Sequence, residues 1–343
     1  MSKPEAKLNG SPHGMKTLWP WIAALAGVIV VHFLVTDRLN PYFFTILMYA
    51  GVNATLAVSL NLISGFTGQF SMGHAGFMSV GGYVSAFITT SLAASHPDLI
   101  NDPNLSPFVF GGVLVVAGLF SAFMGYLVGL PSLRLRGDYL AIVTLGFGEI
   151  IRVIVLNVDA IGGARGMPNI PELSSFAWVY GVLVVTLFSV WRLIHSRQGR
   201  EFLAVREDEI AAEAMGVNTT KAKVRAFATG AFFAGVSGAL FAHYLRYLNP
   251  QTFDFNRSFE VIIMVVLGGL GSLSGSVVAA IFLTVLKEML RPLQELTKLD
   301  FRMVIYSMLL IVLMLTRPNG IFGTKEITSL FKRGRRSSKG GAT

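Results

Sequence analysis

The chain has no cysteine among its 343 residues, and only 14% of its residues are charged. Without thiols there is no disulfide framework and no thiolate metal site. No Gly-Lys dipeptide occurs, so the phosphate-cradling loop G-x-x-x-x-G-K-[ST] is missing, and with it that route to an ATP engine. No His-Glu-x-x-His motif and no G-x-S-x-G elbow is present. The six histidines, His13, His32, His74, His96, His195 and His243, are scattered, and no two stand four apart. These absences leave an enzyme reading little support. No catalytic residue, bound metal or cofactor is expected on this chain.

What the chain has in abundance is apolar sequence: 53% hydrophobic residues and a mean hydropathy of +0.61. About 20 apolar residues cross about 30 Å of hydrocarbon, so the hydrophobic residues suffice for roughly nine spans. A soluble protein of this composition would have too little polar surface to cover such runs. The fold expected is therefore all-α, a polytopic transmembrane bundle within the lipid bilayer. Candidate spans are 19–35, 42–63, 69–94, 108–130, 139–157, 176–194, 226–247, 259–286 and 301–317. "WPWIAALAGVIVVHFLV" follows a polar N-terminus with no small-residue cleavage site after it, so it reads as a retained first span, not a signal peptide.

The net charge of +9 sits in loops and tails. A positive-inside bias explains it better than nucleic-acid binding. Residues 1–18, loop 131–138, the stretch 196–224 and the tail 318–343 are basic and expected in the cytoplasm, whereas loop 95–107 carries Asp98 and Asp102 and no basic residue. Three crossings after the central stretch would put the basic tail outside. Segment 259–286, long and interrupted by "LGGLGSLSG", resolves this if it crosses twice or re-enters. About nine to ten membrane segments are expected, some of them broken.

A second break, "SGFTGQFSMG", shares the pattern G-x-x-G-x-x-S with the first: Gly65, Gly68 and Ser71 against Gly268, Gly271 and Ser274. Matching interruptions in the two halves of a chain suggest an internal repeat with a transport path between the copies. Gln69, His74 and Ser272 join those residues as path candidates. The competing reading is close helix packing at small residues. Glu149 and Arg152, three apart within a span, share a helix face and neutralise each other, either as a structural pair facing the bundle interior or as groups on a path or partner contact. Glu260 and Arg302 read as snorkelling or interfacial groups.

Charge is concentrated in one place. Between Arg197 and Arg225 there are eleven charged residues in 29 positions. On a wheel of 3.6 residues per turn, Leu203, Ile210, Ala214 and Val217 fall within about 60°, with Arg206, Glu209 and Glu213 on another side. The expectation is one short amphipathic helix ended by a left-handed Gly216, with Asn218, Thr219 or Thr220 capping the next helix.

"REDEIAAEAMGVNTTKAK" resembles the coupling-helix region of ABC importer permeases. With "LNLISGFTGQFSMGHAGFMSVGGY", "LAIVTLGFGEIIR", "KAKVRAFATGAFFAGVSGALFAHY" and "GGLGSLSGSVVAAIF", the chain from about 42 to Gly323 resembles the LivM-type permeases of branched-chain amino acid importers. The resemblance implies a non-catalytic subunit of the bacterial inner membrane. It also implies a LivH-like second permease, LivG-like and LivF-like ATPase subunits carrying ATP and Mg, and a periplasmic amino acid-binding protein. Arg206, Glu207, Asp208, Glu209, Glu213 and Gly216 would then meet an ATPase. Here Ala211-Ala212 precede Glu213 and Gly216 follows three later, a departure from the simplest Glu-Ala-Ala-x-x-x-Gly spacing. The alternatives are a urea or short-chain amide importer permease and, in another class, an ion-coupled secondary transporter relying on Glu149.

Overall fold

A computed structural model describes residues 15–36, 39–132 and 138–290, with scattered positions between 304 and 323. Among the described residues every regular element is helical. The first half holds α1 (Met15–Thr36), α2 (Pro41–Asn61), α3 (His74–Ser95), the short α4 (Pro97–Asn101), α5 (Ser106–Ser132) and α6 (Asp138–Asn157). The second holds α7 (Phe176–Ile194), α8 (Arg197–Glu207), α9 (Glu209–Ala214), α10 (Thr219–Leu245), α11 (Phe255–Gly268) and α12 (Leu273–Met289). A π-helical turn, Leu62–Phe66, prolongs α2. Among the described residues six helices are long and apolar enough to cross a membrane. This is a multi-pass all-α bundle.

α10 lies at its centre, packed on α2, α3 and α5. Helices this apolar gain little from expelling water once in lipid, so close approach and buried hydrogen bonds hold them together. A Cβ on Gly81 of α3 would run into the Gly235 backbone of α10, so only glycine permits that crossing. Ser237 of α10 donates to the Val52 carbonyl of α2 at 3.0 Å, and Ser121 of α5 to the Phe77 carbonyl of α3 at 2.9 Å.

Hydrogen bonds also fix the direction of the last helices. Asn61 of α2 reaches Ser276 of α12, and Asn53, two turns back on α2, reaches Thr284, two turns on along α12. α12 is thus antiparallel to α2. Arg257, at the start of α11, bonds Asn53, while the turn after α11 meets Asn61. α11 is therefore parallel to α2, and α11 and α12 form a hairpin of two shorter helices, 14 and 17 residues long. The segment 259–286, expected to be interrupted, is two helices, split where Gly269 and Gly271 take φ of +109° and +90°. The expected span 69–94 starts late: residues 67–73 are not helical, and α3 begins at His74. Span 301–317 and the two basic termini fall largely outside the described residues.

Candidate functional site: a joint between two helix breaks and the charged loop

The charged stretch is two helices. Asp208 is extended (φ −160°), ends α8, and caps α9 by accepting from the Ile210 and Ala211 amides at 2.9 and 3.0 Å. An Asp that satisfies free amides in this way outweighs continuation of the helix, and the expected single amphipathic helix is corrected accordingly. Gly216 has φ +82°, and Asn218 caps α10 through the Lys221 amide at 2.9 Å.

Glu209 of α9 turns inward, while Glu213 is exposed. Glu209 pairs with Lys223 at 2.6 Å, and the Lys223 side chain is only 3% exposed. Glu213 accepts from the Thr219 hydroxyl at 2.7 Å. Both carboxylates therefore fasten α9 to the start of α10. Beside Glu213, α9 and the residue that follows it present apolar side chains outward: Ile210 is 65% and Met215 84% exposed. Glu207 is exposed and pairs with Arg206.

Arg206 reaches the other way. Its Nη1 donates to the Gly65 carbonyl at 3.0 Å. A Cβ placed on Gly68 would come within 3.0 to 3.4 Å of the Arg206 stem, and one on Gly271 within 2.9 Å of Nη1. Gly68, at φ +71°, and Gly271 are left-handed, which suits glycine alone at such close quarters. The two breaks, 200 residues apart in sequence, thus meet one guanidinium. They also meet each other: a Cβ on Gly65 would strike the Gly271 amide. Asn61 joins them, donating to the Ser272 carbonyl (2.9 Å) and the Ser276 hydroxyl (2.7 Å) while accepting from the Gly271 amide at 2.9 Å. An unwound backbone inside a bundle needs such partners.

The remaining path candidates are placed as follows. Ser272 caps α12 through the Gly275 amide, Gly268 abuts Gly275 across the hairpin turn, and Ser274 is half-buried. Gln69 and Ser71 are buried. His74 is fully buried and sits 2.7 Å from the Ser59 hydroxyl, as a packing residue does. Glu149 and Arg152 pair at 2.7 Å but are 37% and 28% exposed, on a flank of α6 that also exposes Ile142, Ile150 and Ile154. The pair is half-buried and lies at the edge of the bundle, beside the buried Ile151 and Val155.

Two features escaped the sequence reading. Asn61 and Asn53 stand within an apolar run, and polar residues there signal interhelical bonds. Glu260 does not snorkel: its side chain is 12% exposed and bridges Arg257 (3.0 Å) and Lys287 (2.6 Å). Arg302 lies outside the described residues.

The family model described as branched-chain amino acid transport system / permease component matches residues 42–314. The chain belongs to this family. The high-affinity branched-chain amino acid transport system permease protein LivM of Salmonella typhimurium is 35% identical over 78% of this chain, and that of Escherichia coli 33%. This chain spans 66% of the length of those two relatives. The permease protein LivH of Escherichia coli is 24% identical over 80% of this chain and 92% of its own length. No solved structure matches the chain. The family match covers both breaks, the charged stretch between them and the Asn61–Arg206 joint.

Proposed function

We propose that the chain is a permease subunit of an ABC importer for branched-chain or related hydrophobic amino acids. The observation that carries this reading is the bond from Arg206 to Gly65. It ties the one strongly charged loop of an apolar protein to the point where two broken membrane segments meet. A displacement of α8 and α9 would be delivered directly to both breaks, as an importer driven from a separate ATPase requires.

In this reading α8 and α9 lie in the cytoplasm, where the basic residues of the loop favour them. The seat for the ATPase is the exposed surface of Ile210, Ala214 and Met215, with Glu207 at its edge. Glu209 and Glu213 hold that surface in place. LivG-like and LivF-like subunits supply ATP and Mg, and a periplasmic binding protein delivers the solute across the inner membrane. The relatives named LivM and LivH support a paired permease. The flank of α6 that bears Glu149 and Arg152 suits contact with the LivH-like partner, because an ion pair left facing hydrocarbon is costly.

The native chain has no cysteine, so Met215→Cys can carry a single photoactivatable cross-linker. In the assembled complex it should capture an ATPase subunit. An intact, ATP-hydrolysing complex in which position 215 captures no ATPase would overturn the seat.

A further inference from the structure

At the end of the bundle opposite α8 and α9 there is a cavity of about 390 Å³, lined by residues of α2, α10, α11 and α12, many of them charged or polar. Its size lies within the roughly 300–1,000 Å³ of small-molecule sites. Asn53, on its wall, stands about 18 Å along α2 from Pro41, at 1.5 Å per residue. The cavity therefore reaches about half-way down that helix. Below it the packing closes: Leu56, Leu60, Ile263, Met264 and Leu283 are all buried.

Its charges are arranged in two sets. Glu260 accepts from both Arg257 and Lys287, so these two cations share one carboxylate. Arg257 also donates through Nη2 to Asn53 at 2.6 Å, but its Nε is buried with no partner among the described residues. A buried guanidinium N–H in that condition is improved by any acceptor that reaches it. The second set is acidic. Asp254 and Glu288 line the same cavity, Asp254 as the cap of α11 and Glu288 within reach of the Tyr42 hydroxyl at 3.3 Å. Phe241, Leu245 and Tyr49 supply an apolar wall.

We infer that this cavity receives the solute, binding the zwitterionic head of an α-amino acid between the Arg257–Lys287 cations and the Asp254 and Glu288 carboxylates, with the apolar side chain against Phe241 and Leu245. The inference rests on the importer reading and adds to it a place and a chemistry. A neutral solute with no separated charges, such as urea, leaves both sets unused. An α-amino acid uses both at once, and its side chain length is not fixed by a closed pocket. The rival account is a clamp. Arg257, Asn53, Thr284, Lys287 and Glu260 also bind three helices together, and they would do so with no ligand at all.

The test uses Thr252→Cys, an exposed position on the cavity wall, in the purified transporter complex with cysteine-free partners and no binding protein. Labelling by a neutral maleimide is timed against increasing L-leucine, 4-methylpentanoate (leucine without its amine) and 3-methylbutylamine (leucine without its carboxylate). Ligand at ten times its dissociation constant leaves about one site in eleven free, so leucine should slow labelling about tenfold. Neither half-molecule should match it, and Arg257→Gln or Lys287→Gln should remove the protection, each variant's labelling being compared with and without leucine. No protection by leucine overturns the site and leaves the clamp. Equal protection by all three compounds also overturns it, because the head group is then not read. ATP-driven uptake is measured separately: protection without uptake refutes the importer reading alone, and uptake without protection refutes this site alone.

Discussion

Arg206→Met removes the bond between the charged loop and the break while keeping most of the aliphatic stem that lies over Gly68. The donor is a guanidinium and the acceptor a backbone carbonyl 3.0 Å away, with the Arg206 side chain 26% exposed. Bonds of this charge-assisted kind contribute about 1.5–3 kcal/mol. Spread over an equilibrium between joined and parted arrangements, that is roughly a ten- to hundredfold loss of the joined state. Glu207 loses its bond to Arg206 too, but at 73% exposure that costs little. The measurement is leucine imported per ATP hydrolysed in the reconstituted complex. The ratio should fall by roughly the same ten- to hundredfold, with hydrolysis and complex yield unchanged. Arg206→Lys should recover part of it by supplying one donor. If Arg206→Met imports at the normal ratio, the joint transmits nothing. If yield and import fall together, the bond holds the fold and does no more.

Glu209→Ala should sharply lower the yield of folded complex, because it strands the buried Lys223; breaking such a pair costs about 3–5 kcal/mol. The double substitution Glu209→Met with Lys223→Met should restore yield, and failure to do so would mean that the pair is not what fastens α9. Asn61→Ala deletes three bonds across the breaks, about 1 kcal/mol each, and should lower the melting temperature of the complex measurably. Asn61→Asp should not rescue it, since a carboxylate cannot donate to the Ser272 carbonyl; unchanged melting in Asn61→Ala would remove Asn61 from the joint.

Much of the fold was legible from short-range chemistry. Apolar runs mark the spans, the left-handed glycines mark the breaks, and Asn218 and Gly216 mark where the charged stretch stops and α10 begins. The overlong segment 259–286 declared its own interruption through Gly268, Gly269 and Gly271. Asp208 was also readable as a cap, but the apolar stripe running through it suggested a continuous helix. What sequence hides is which distant side chains meet. Glu260 reads as an interfacial acid until Lys287, 27 residues later, folds back along it. Asn61 reads as a stray polar residue until Gly271 and Ser276 arrive from the other half of the chain. Arg206 looks like one charge of eleven, and nothing within the loop says that it reaches the breaks. The spacing of Glu149 and Arg152 gave their pairing correctly but not their direction, which depends on the neighbours of α6.

The central claim is that this chain carries an amino acid inward under the drive of a separate ATPase. The most direct measurement is accumulation of labelled leucine in proteoliposomes that hold the complete complex, with ATP supplied on the side of α9 and binding protein on the other. The account predicts accumulation above the external concentration that requires ATP and binding protein and is indifferent to proton and sodium gradients. Accumulation that follows an ion gradient in the absence of ATP would contradict it.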